Sequence, residues 1–413
     1  MSNTFDSNFI KRRNTNDDLA LKWTHCSVMA SALLPAVRSD PLDYNPMKRI
    51  TLPAAIVISL IICTAAFLVA RLMTPSTSTA ISGIVTLPCR PDQTIKPLGD
   101  GVIYSDGAFI YALDGDGRQR WSHASGTGSD FSVSDGGVAT WRGNRLTLLD
   151  AVQGTTYNAF PTDGTILSAK LGLAYVAVQT STENDLLSAE NNSSILVYGR
   201  NGSLSEKYDF PEKTIIDYGF FNNGTLFWVM SIDTEGTVPL SSITTYRPGR
   251  STMGRIAPTD QRIYRVFFES NRIRAVGLTH LVTYEYTGTR QADAPILVYG
   301  WNLMDVGETQ PPMAVFAPEA QTNANIVSIS DVRMISETDD RIIRMPFPCF
   351  SLAVQGSTAY GFNRQSVVVC GLHDEKPVAY PLPVEVDKFI GMTNQNAAIL
   401  SSGSVVYLVY LPS

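Results

Sequence analysis

An all-β repeat array behind a single membrane-spanning helix is the fold class this sequence predicts, and three observations predict it. Residues 52–70 carry no charge. Beyond Gly83 the chain has no long helical periodicity and breaks into short β-rich runs bounded by Gly, Asn and Asp. Those runs recur with related residues at a spacing of roughly 36 to 53 positions.

The apolar stretch comes first. Leu52 to Ala70 reads LPAAIVISLIICTAAFLVA, between Lys48-Arg49 and Arg71. At ~1.5 Å per residue it reaches about 28 Å, close to the ~30 Å hydrocarbon thickness of a bilayer. The expected layout is a largely disordered cytoplasmic tail over 1–49, a transmembrane helix over 50–72, a Ser/Thr linker over 73–82 and one large region over 83–413. Arg38, Lys48 and Arg49 outweigh Arg71 near the membrane. Lys and Arg are retained on the cytoplasmic side, so the N-terminus is expected inside the plasma membrane and the large region outside. A cleaved secretory signal ending near Ser78-Thr79-Ala80 is the competing reading. Such signals use apolar cores of about 7–15 residues, shorter than this one. Met47 opens a second basic start, MKRITLPAAIVISLIIC, so residues 1–46 are either a tail or an upstream start. Within them Leu19, Trp23, Cys26, Ala30 and Leu33 follow Asp17-Asp18 roughly at helical spacing.

The repeats come next. Gly101 to Trp121 reads GVIYSDGAFIYALDGDGRQRW: a strand, an Asp106-Gly107 turn, a second strand ending at Leu113, then an Asp114-Gly115-Asp116-Gly117 turn. At an offset of 36, Gly101, Val102, Gly107, Leu113 and Asp114 match Gly137, Val138, Gly143, Leu149 and Asp150. Ile195 to Asn201 and Ile296 to Asn302 agree at six of seven positions. Weaker copies are Ser242 to Tyr246, Ala359 to Gly371 and Ala398 to Tyr410.

Such units have two β faces to bury, and only stacking against neighbours covers both. The final run, Val405 to Tyr410, is apolar nearly to the end, which fits a ring closed by pairing Ile81–Leu87 with it in one composite blade. Equivalent positions near Leu113, Leu149, Val197, Thr245, Val298, Val369 and Leu408 predict a seven-bladed β-propeller. The gap from Val298 to Val369 leaves room for an eighth blade through residues 326–335, the alternative count. Leu113 and Trp121 are expected between the first two blades.

The first unit resembles the pyrroloquinoline-quinone-like propeller repeat, through Asp106, Gly107, Tyr111, Ala112, Leu113, Asp114, Gly117 and Trp121. The layout is similar to an uncharacterised bacterial domain-of-unknown-function family with one N-terminal membrane segment and an exported propeller of this PQQ/WD40-like type. Repeats of this type occur in quinone dehydrogenases and in non-enzymatic scaffolds, so the resemblance implies fold and leaves the activity open. The dehydrogenases carry an adjacent Cys-Cys pair, whereas Cys26, Cys63, Cys89, Cys349 and Cys370 are all isolated here.

Chemistry is sparse. Beyond residue 50 there are 25 basic and 33 acidic residues, a balance that argues against nucleic acid as a partner. The four His, at 25, 123, 280 and 373, show no metal-ligand spacing. Asp114 and Asp116 hint at a calcium loop, but the next alternating position is Arg118, which favours a plain turn. Glu337, Asp339 and Asp340 read as a solvated loop. No residue is expected to be catalytic, to bind a cofactor or to ligate a metal; Gly101, Asp106, Gly107, Leu113, Asp114, Trp121, Gly137, Gly143, Leu149 and Asp150 are expected to build the structural repeat. The favoured function is a membrane-tethered binding platform for an envelope protein or surface ligand. The alternative is an envelope glycan hydrolase with carboxylates converging at the central channel.

Overall fold

The structure is a computed structural model, and it describes residues 81–134, 136–181, 193–233, 238–250, 252–307, 310–323 and 327–412. The expected tail, the membrane span at 50–72 and all but the end of the 73–82 linker lie outside the described residues. Among the described residues no helix is long and apolar enough to cross a membrane.

Eight four-stranded antiparallel sheets form the blades; seven run in chain order from an inner to an outer strand, and the eighth combines both ends of the described chain. Blade 1 is β2–β5 (Thr94–Leu98, Gly101–Ser105, Phe109–Leu113, Gln119–Ala124). Blade 2 is β6–β9 (Asp130–Ser134, Gly137–Arg142, Arg145–Leu149, Thr156–Pro161). Blade 3 is β10–β13 (Thr165–Leu171, Tyr175–Ser181, Ser193–Gly199, Leu204–Phe210). Blade 4 is β14–β17 (Lys213–Phe221, Leu226–Asp233, Leu240–Tyr246, Thr252–Ile256). Blade 5 is β18–β21 (Ile263–Glu269, Arg272–Gly277, His280–Glu285, Ile296–Leu297). Blade 6 is β22–β25 (Trp301–Val306, Ala314–Pro318, Ile329–Ile335, Asp340–Cys349), with the one-turn helix α1 (Glu319–Thr322) after its second strand. Blade 7 is β26–β29 (Ser351–Gln355, Thr358–Phe362, Ser366–Gly371, Val378–Pro381). Blade 8 is composite: β30–β32 (Lys388–Met392, Ala397–Ser402, Val405–Tyr410) take β1 (Gly83–Leu87) as their outer strand.

Closure therefore joins the two ends of the ring, with Gly83 opposite Tyr410 and Leu87 opposite Val406. The apolar β32 is sandwiched between β31 and β1, which explains why its side chains need no polar cap.

Eight blades replace the expected seven. The missed blade is blade 6, whose third strand, Ile329–Ile335, lies in the Val298–Val369 gap. Its loops are long, and α1 sits inside one of them, so its period departs from the others. The near-identity of Ile195–Asn201 and Ile296–Asn302 also misled the count. The first begins within the third strand of blade 3, while the second runs from the outer strand of blade 5 into the inner strand of blade 6. The third strand of blade 5 is β20, not the segment at Val298.

One apolar cluster fills each of the eight seams. Period-2 alternation sends neighbouring residues of a strand into different seams. In β4, Ala112 joins the cluster between blades 1 and 2, whereas Leu113 joins Val406 and Leu408 between blades 8 and 1. Trp121 does lie in the seam between blades 1 and 2, but Leu113 faces the closing blade, which corrects its expected place. Leu149, its counterpart in blade 2, faces back to blade 1 in the same way.

Candidate functional site

The repeat residues of blades 1 and 2 serve local geometry. Asp106 Oδ1 accepts hydrogen bonds from the backbone N–H of Ala108 (2.9 Å) and Phe109 (2.7 Å), and these donors hold its carboxyl below the usual range. Gly107 and Gly143 take positive φ (94° and 58°) at equivalent hairpin turns. Asp114 Oδ1 accepts from the N–H of Asp116 (3.0 Å) and Arg118 (2.8 Å), and Asp150 Oδ1 accepts from those of Val152 and Gln153. At Gly101 a Cβ would stand 1.9 Å from the Leu113 carbonyl oxygen, and at Gly137 2.7 Å from that of Leu149, so both positions need close backbone approach. Trp121 Nε1 donates to the Ala151 carbonyl at 3.1 Å across the seam.

The Asp114–Gly117 turn uses its carboxylates internally, with Asp116 also 3.3 Å from Arg118. Among the described residues no group of three or more His, Cys, Asp or Glu is placed to hold a metal. Cys89, Cys349 and Cys370 are buried free thiols; burial pushes Cys349 up to about 12 and Cys89 up to about 11. In the acidic cluster, Glu337 pairs with Arg272 at 3.2 Å, and Asp340 takes both Arg333 Nε and Nη2.

The channel is built by the inner strands, each with one neighbour in its sheet. Several of their spare backbone groups are met by side chains from the preceding inner strand. Lys96 Nζ donates to the Phe131 carbonyl at 2.7 Å and stands over that ring; burial lowers its pKa. Tyr264 Oη accepts from the Leu303 N–H at 3.2 Å, and Asp305 Oδ2 from the Val354 N–H at 2.8 Å. Five inner strands also carry a register shift with one extra residue: Leu167, Ile216, Tyr264, Met304 and Ile390. A β-bulge re-aims side chains, and here all five extra residues are large and largely apolar.

A cavity of about 600 Å³ lies between the inner strands of blades 6, 7 and 8. Met304, Leu352, Phe389, Ile390 and Met392 line it, and Asp305 is the one carboxylate among its lining residues. That carboxylate already accepts from the Val306 and Val354 N–H groups. This wall does not supply the paired carboxylates that glycoside hydrolysis requires.

A different surface stands out at the rim of blades 4 to 6, at the end bearing the loops between second and third strands. Val238 (55 % exposed), Leu240, Leu278, Leu297 and Tyr299 (73 %) are large apolar residues open to solvent there. Their loops are bonded one to the next. Arg262 Nε donates to the Pro239 carbonyl at 3.1 Å, the Leu278 N–H to the Arg262 carbonyl at 3.1 Å, and the Val298 N–H to the Thr279 carbonyl at 2.8 Å. Gln261 Oε1 accepts from Thr279 Oγ1 and the His280 N–H, tying the third loop to the second. Sequence reasoning missed this rim. The available signal was the placing of apolar residues beside turn formers, as in Val238-Pro239, Leu278-Thr279 and Tyr299-Gly300.

No family model matches the chain. No curated protein matches it either. Among solved structures, the C-terminal WD40 domain of Sif2 is similar with a TM-score of 0.52 at 12% identity, over 81% of this chain and 99% of that one. BamB from Moraxella catarrhalis is similar with a TM-score of 0.49 at 12% identity, over 80% of this chain and 100% of that one. At such identities the likeness to the WD40 domain concerns the β-propeller fold alone.

Proposed function

We propose that this chain is a membrane-anchored, extracytoplasmic binding platform whose ring engages a protein partner of the cell envelope through the rim of blades 4 to 6. The observation that carries the binding role is the set of five exposed large apolar side chains on loops held to one another by hydrogen bonds. Scattered exposed apolar residues are ordinary, but a group held on braced loops suits a partner surface. The β-propeller fold is a common scaffold for such binding. The anchor is supported by the uncharged run at 52–70 and by the charge bias across it.

Two experiments test the two halves separately. Protease added to spheroplasts should remove the ring and spare a tag on the N-terminus; digestion of the tag would reverse the orientation. For the binding role, a photo-crosslinking side chain placed at Tyr299 or Leu278 in native cells should yield one discrete adduct. The same side chain at Val152, 69 % exposed on a turn at the other end of blade 2, should yield none. Equal adducts at all three positions, or none at the rim, would remove the rim from the proposal.

A further inference from the structure

Outside the rim, the outer strands of the blades differ in how their free edges are guarded. Such a strand presents a row of unpaired backbone groups that can take another strand, and charges, prolines or short length ordinarily protect it. β5, β13, β17 and β25 carry charged residues, β9 and β29 end in proline, and β21 has two residues. Among the described outer strands β1 alone, GIVTL, has neither charge nor proline over five residues. The blade 1 turn lies against one of its faces: a Cβ at Gly117 would stand 2.8 Å from Val85 Cγ1. On the other face Ile84 (37 %) and Thr86 are exposed.

Hydrogen-bond alternation fixes which backbone groups of β1 face outward. The Leu411 N–H donates to the Asn396 carbonyl at 2.9 Å, on the β31 side of β32. The Ser82 N–H donates to the Tyr410 carbonyl at 3.3 Å, on the β1 side. Successive residues of a strand alternate sides, so Tyr410, Leu408 and Val406 bond to their partners Gly83, Val85 and Leu87. The N–H and C=O groups of Ile84 and Thr86 therefore point away from the sheet, and no other described residue bonds them.

We propose that β1 is a self-association edge: a second copy of this chain lays its own β1 antiparallel against it, Val85 opposite Val85. In that register Ile84 of each copy stands opposite Thr86 of the other. Each copy brings two outward N–H groups and two outward carbonyls, and the pairing satisfies all of them in four interchain hydrogen bonds. The open face gains as well, because Ile84 acquires a cross-strand neighbour in Thr86 of the second copy. An edge that matches itself makes an isologous contact, which closes as a two-fold dimer and cannot grow into a filament. Two-fold symmetry sets both Gly83 residues at one height along its axis, so one anchoring plane is open to both chains. Blade 8 lies opposite blade 4 in an eight-bladed ring, so the dimer leaves the rim of blades 4 to 6 free. A five-residue strand pair buries less than the ~1,600 Å² of a standard interface, so the dimer is weak in solution.

Every blade is completed between Gly83 and Tyr410, so residues 78–413 make a self-contained ring for the test. Sedimentation of this ring from about 1 μM to 1 mM should show a monomer passing to a dimer and nothing larger. Thr86→Pro removes an outward N–H while sparing the bonds to β32, so the ring should melt as before. Its self-association should weaken about tenfold, through the loss of one donor from each copy. Ile84→Lys, which installs the charge that other edges carry, should do the same and serves if the proline variant fails to fold. Disulfide trapping reads the register, since the native thiols of the ring, Cys89, Cys349 and Cys370, are buried. Rings with Ile84→Cys mixed with rings with Thr86→Cys, told apart by two tags, should form mixed disulfide dimers under mild oxidant. Each variant alone should form few. A ring that stays monomeric over the whole range would overturn the proposal. So would a dimer indifferent to both edge variants, which would place the contact elsewhere, or like pairs trapped as readily as mixed ones, which would mean random collision.

Discussion

The seam between blades 1 and 2 and the seam between blades 5 and 6 place opposite chemistry at matching backbone positions. Leu98 closes the inner strand of blade 1 and pairs with Gly101; Glu269 closes that of blade 5 and pairs with Arg272. Two residues further on stand Ile103 in one and Arg274 in the other. Leu98 and Ile103 join the apolar cluster with Trp121 and Phe131. Glu269 and Arg274 are as buried (8 % and 7 % exposed), yet they form an ion pair at 3.3 Å that is misaligned for a hydrogen bond. Arg274 also approaches the Ser336 carbonyl of blade 6 at 3.5 Å, and Arg272 pairs with Glu337 of that blade. The fold tolerates either solution because the rest of the second seam, including Phe267, Val276 and Phe316, is apolar. The difference teaches that a blade's backbone geometry is the repeated quantity, while its seam chemistry is free to vary.

That lesson holds only in a closed ring, where each seam is loaded from both sides. Deleting residues 404–413 removes β32 and leaves β1 without its partner, so the closing seam at Leu113, Val406 and Leu408 opens. The expected effect is the largest available: loss of the cooperative transition of the whole ring, whose stability is about 5–15 kcal/mol for an ordinary domain. Calorimetry of the truncated ring checks it. A cooperative melt at the original temperature would mean that the seams are independent.

Next in size is the ionic seam broken on one side. Arg274→Ile leaves Glu269 buried without its ion-pair partner, and breaking a buried pair on one side costs about 3–5 kcal/mol. Urea unfolding of the variant should show a midpoint far below that of the parent with an unchanged slope. A shift no larger than that of an exposed substitution would mean that water reaches the pair.

Transplanting the other seam sharpens the comparison further. Glu269→Leu with Arg274→Ile installs the residues of blade 1 in blade 5. Replacing a buried ion pair by packed apolar groups is commonly neutral or stabilising by about 1–4 kcal/mol. The double variant should therefore recover everything that Arg274→Ile loses. If it stays as unstable as the single variant, the seam needs its charges for shape, and the two chemistries are not interchangeable.

The same contrast explains which parts of the fold were legible. Blades 1 and 2 repeat Gly101, Gly107, Leu113 and Asp114 at one spacing because turn chemistry and seam chemistry both recur there. Blade 5 places Arg272 at the Gly101 position and has an outer strand of two residues; blade 6 has long loops and α1. Their geometry is set by contacts distant in sequence, which periodicity does not register, so one blade was undercounted. Ring closure was legible from the apolar ends, Ile81–Leu87 and Val405–Tyr410. The rim was not, because Leu278 and Tyr299 acquire meaning only when separate loops are brought together.

The smallest expected effect separates local from borrowed support in two equivalent hairpins. Blade 1 holds the turn between its second and third strands with its own Asp106, which accepts from the Ala108 and Phe109 N–H groups and from Tyr111 Oη at 3.0 Å. Blade 5 holds the matching turn with Gln261 of the preceding loop, an uncharged amide. The Phe109 and Ala108 donors keep the folded Asp106 carboxyl below its ordinary range. A depressed carboxyl contributes stability that is fully present above the unfolded value of about 4 and is lost as pH falls through the folded value. Asp106→Asn keeps an acceptor oxygen but no charge. Its urea midpoint should trail the parent slightly at neutral pH, and the gap should close under acid. Gln261→Glu in blade 5 gives the counterpart, with a gap from the parent that changes sense or size as the new carboxyl titrates. A gap for Asp106→Asn that stays constant across the acid range would mean that the charge of Asp106 adds nothing to its turn, and that both hairpins are held by geometry alone.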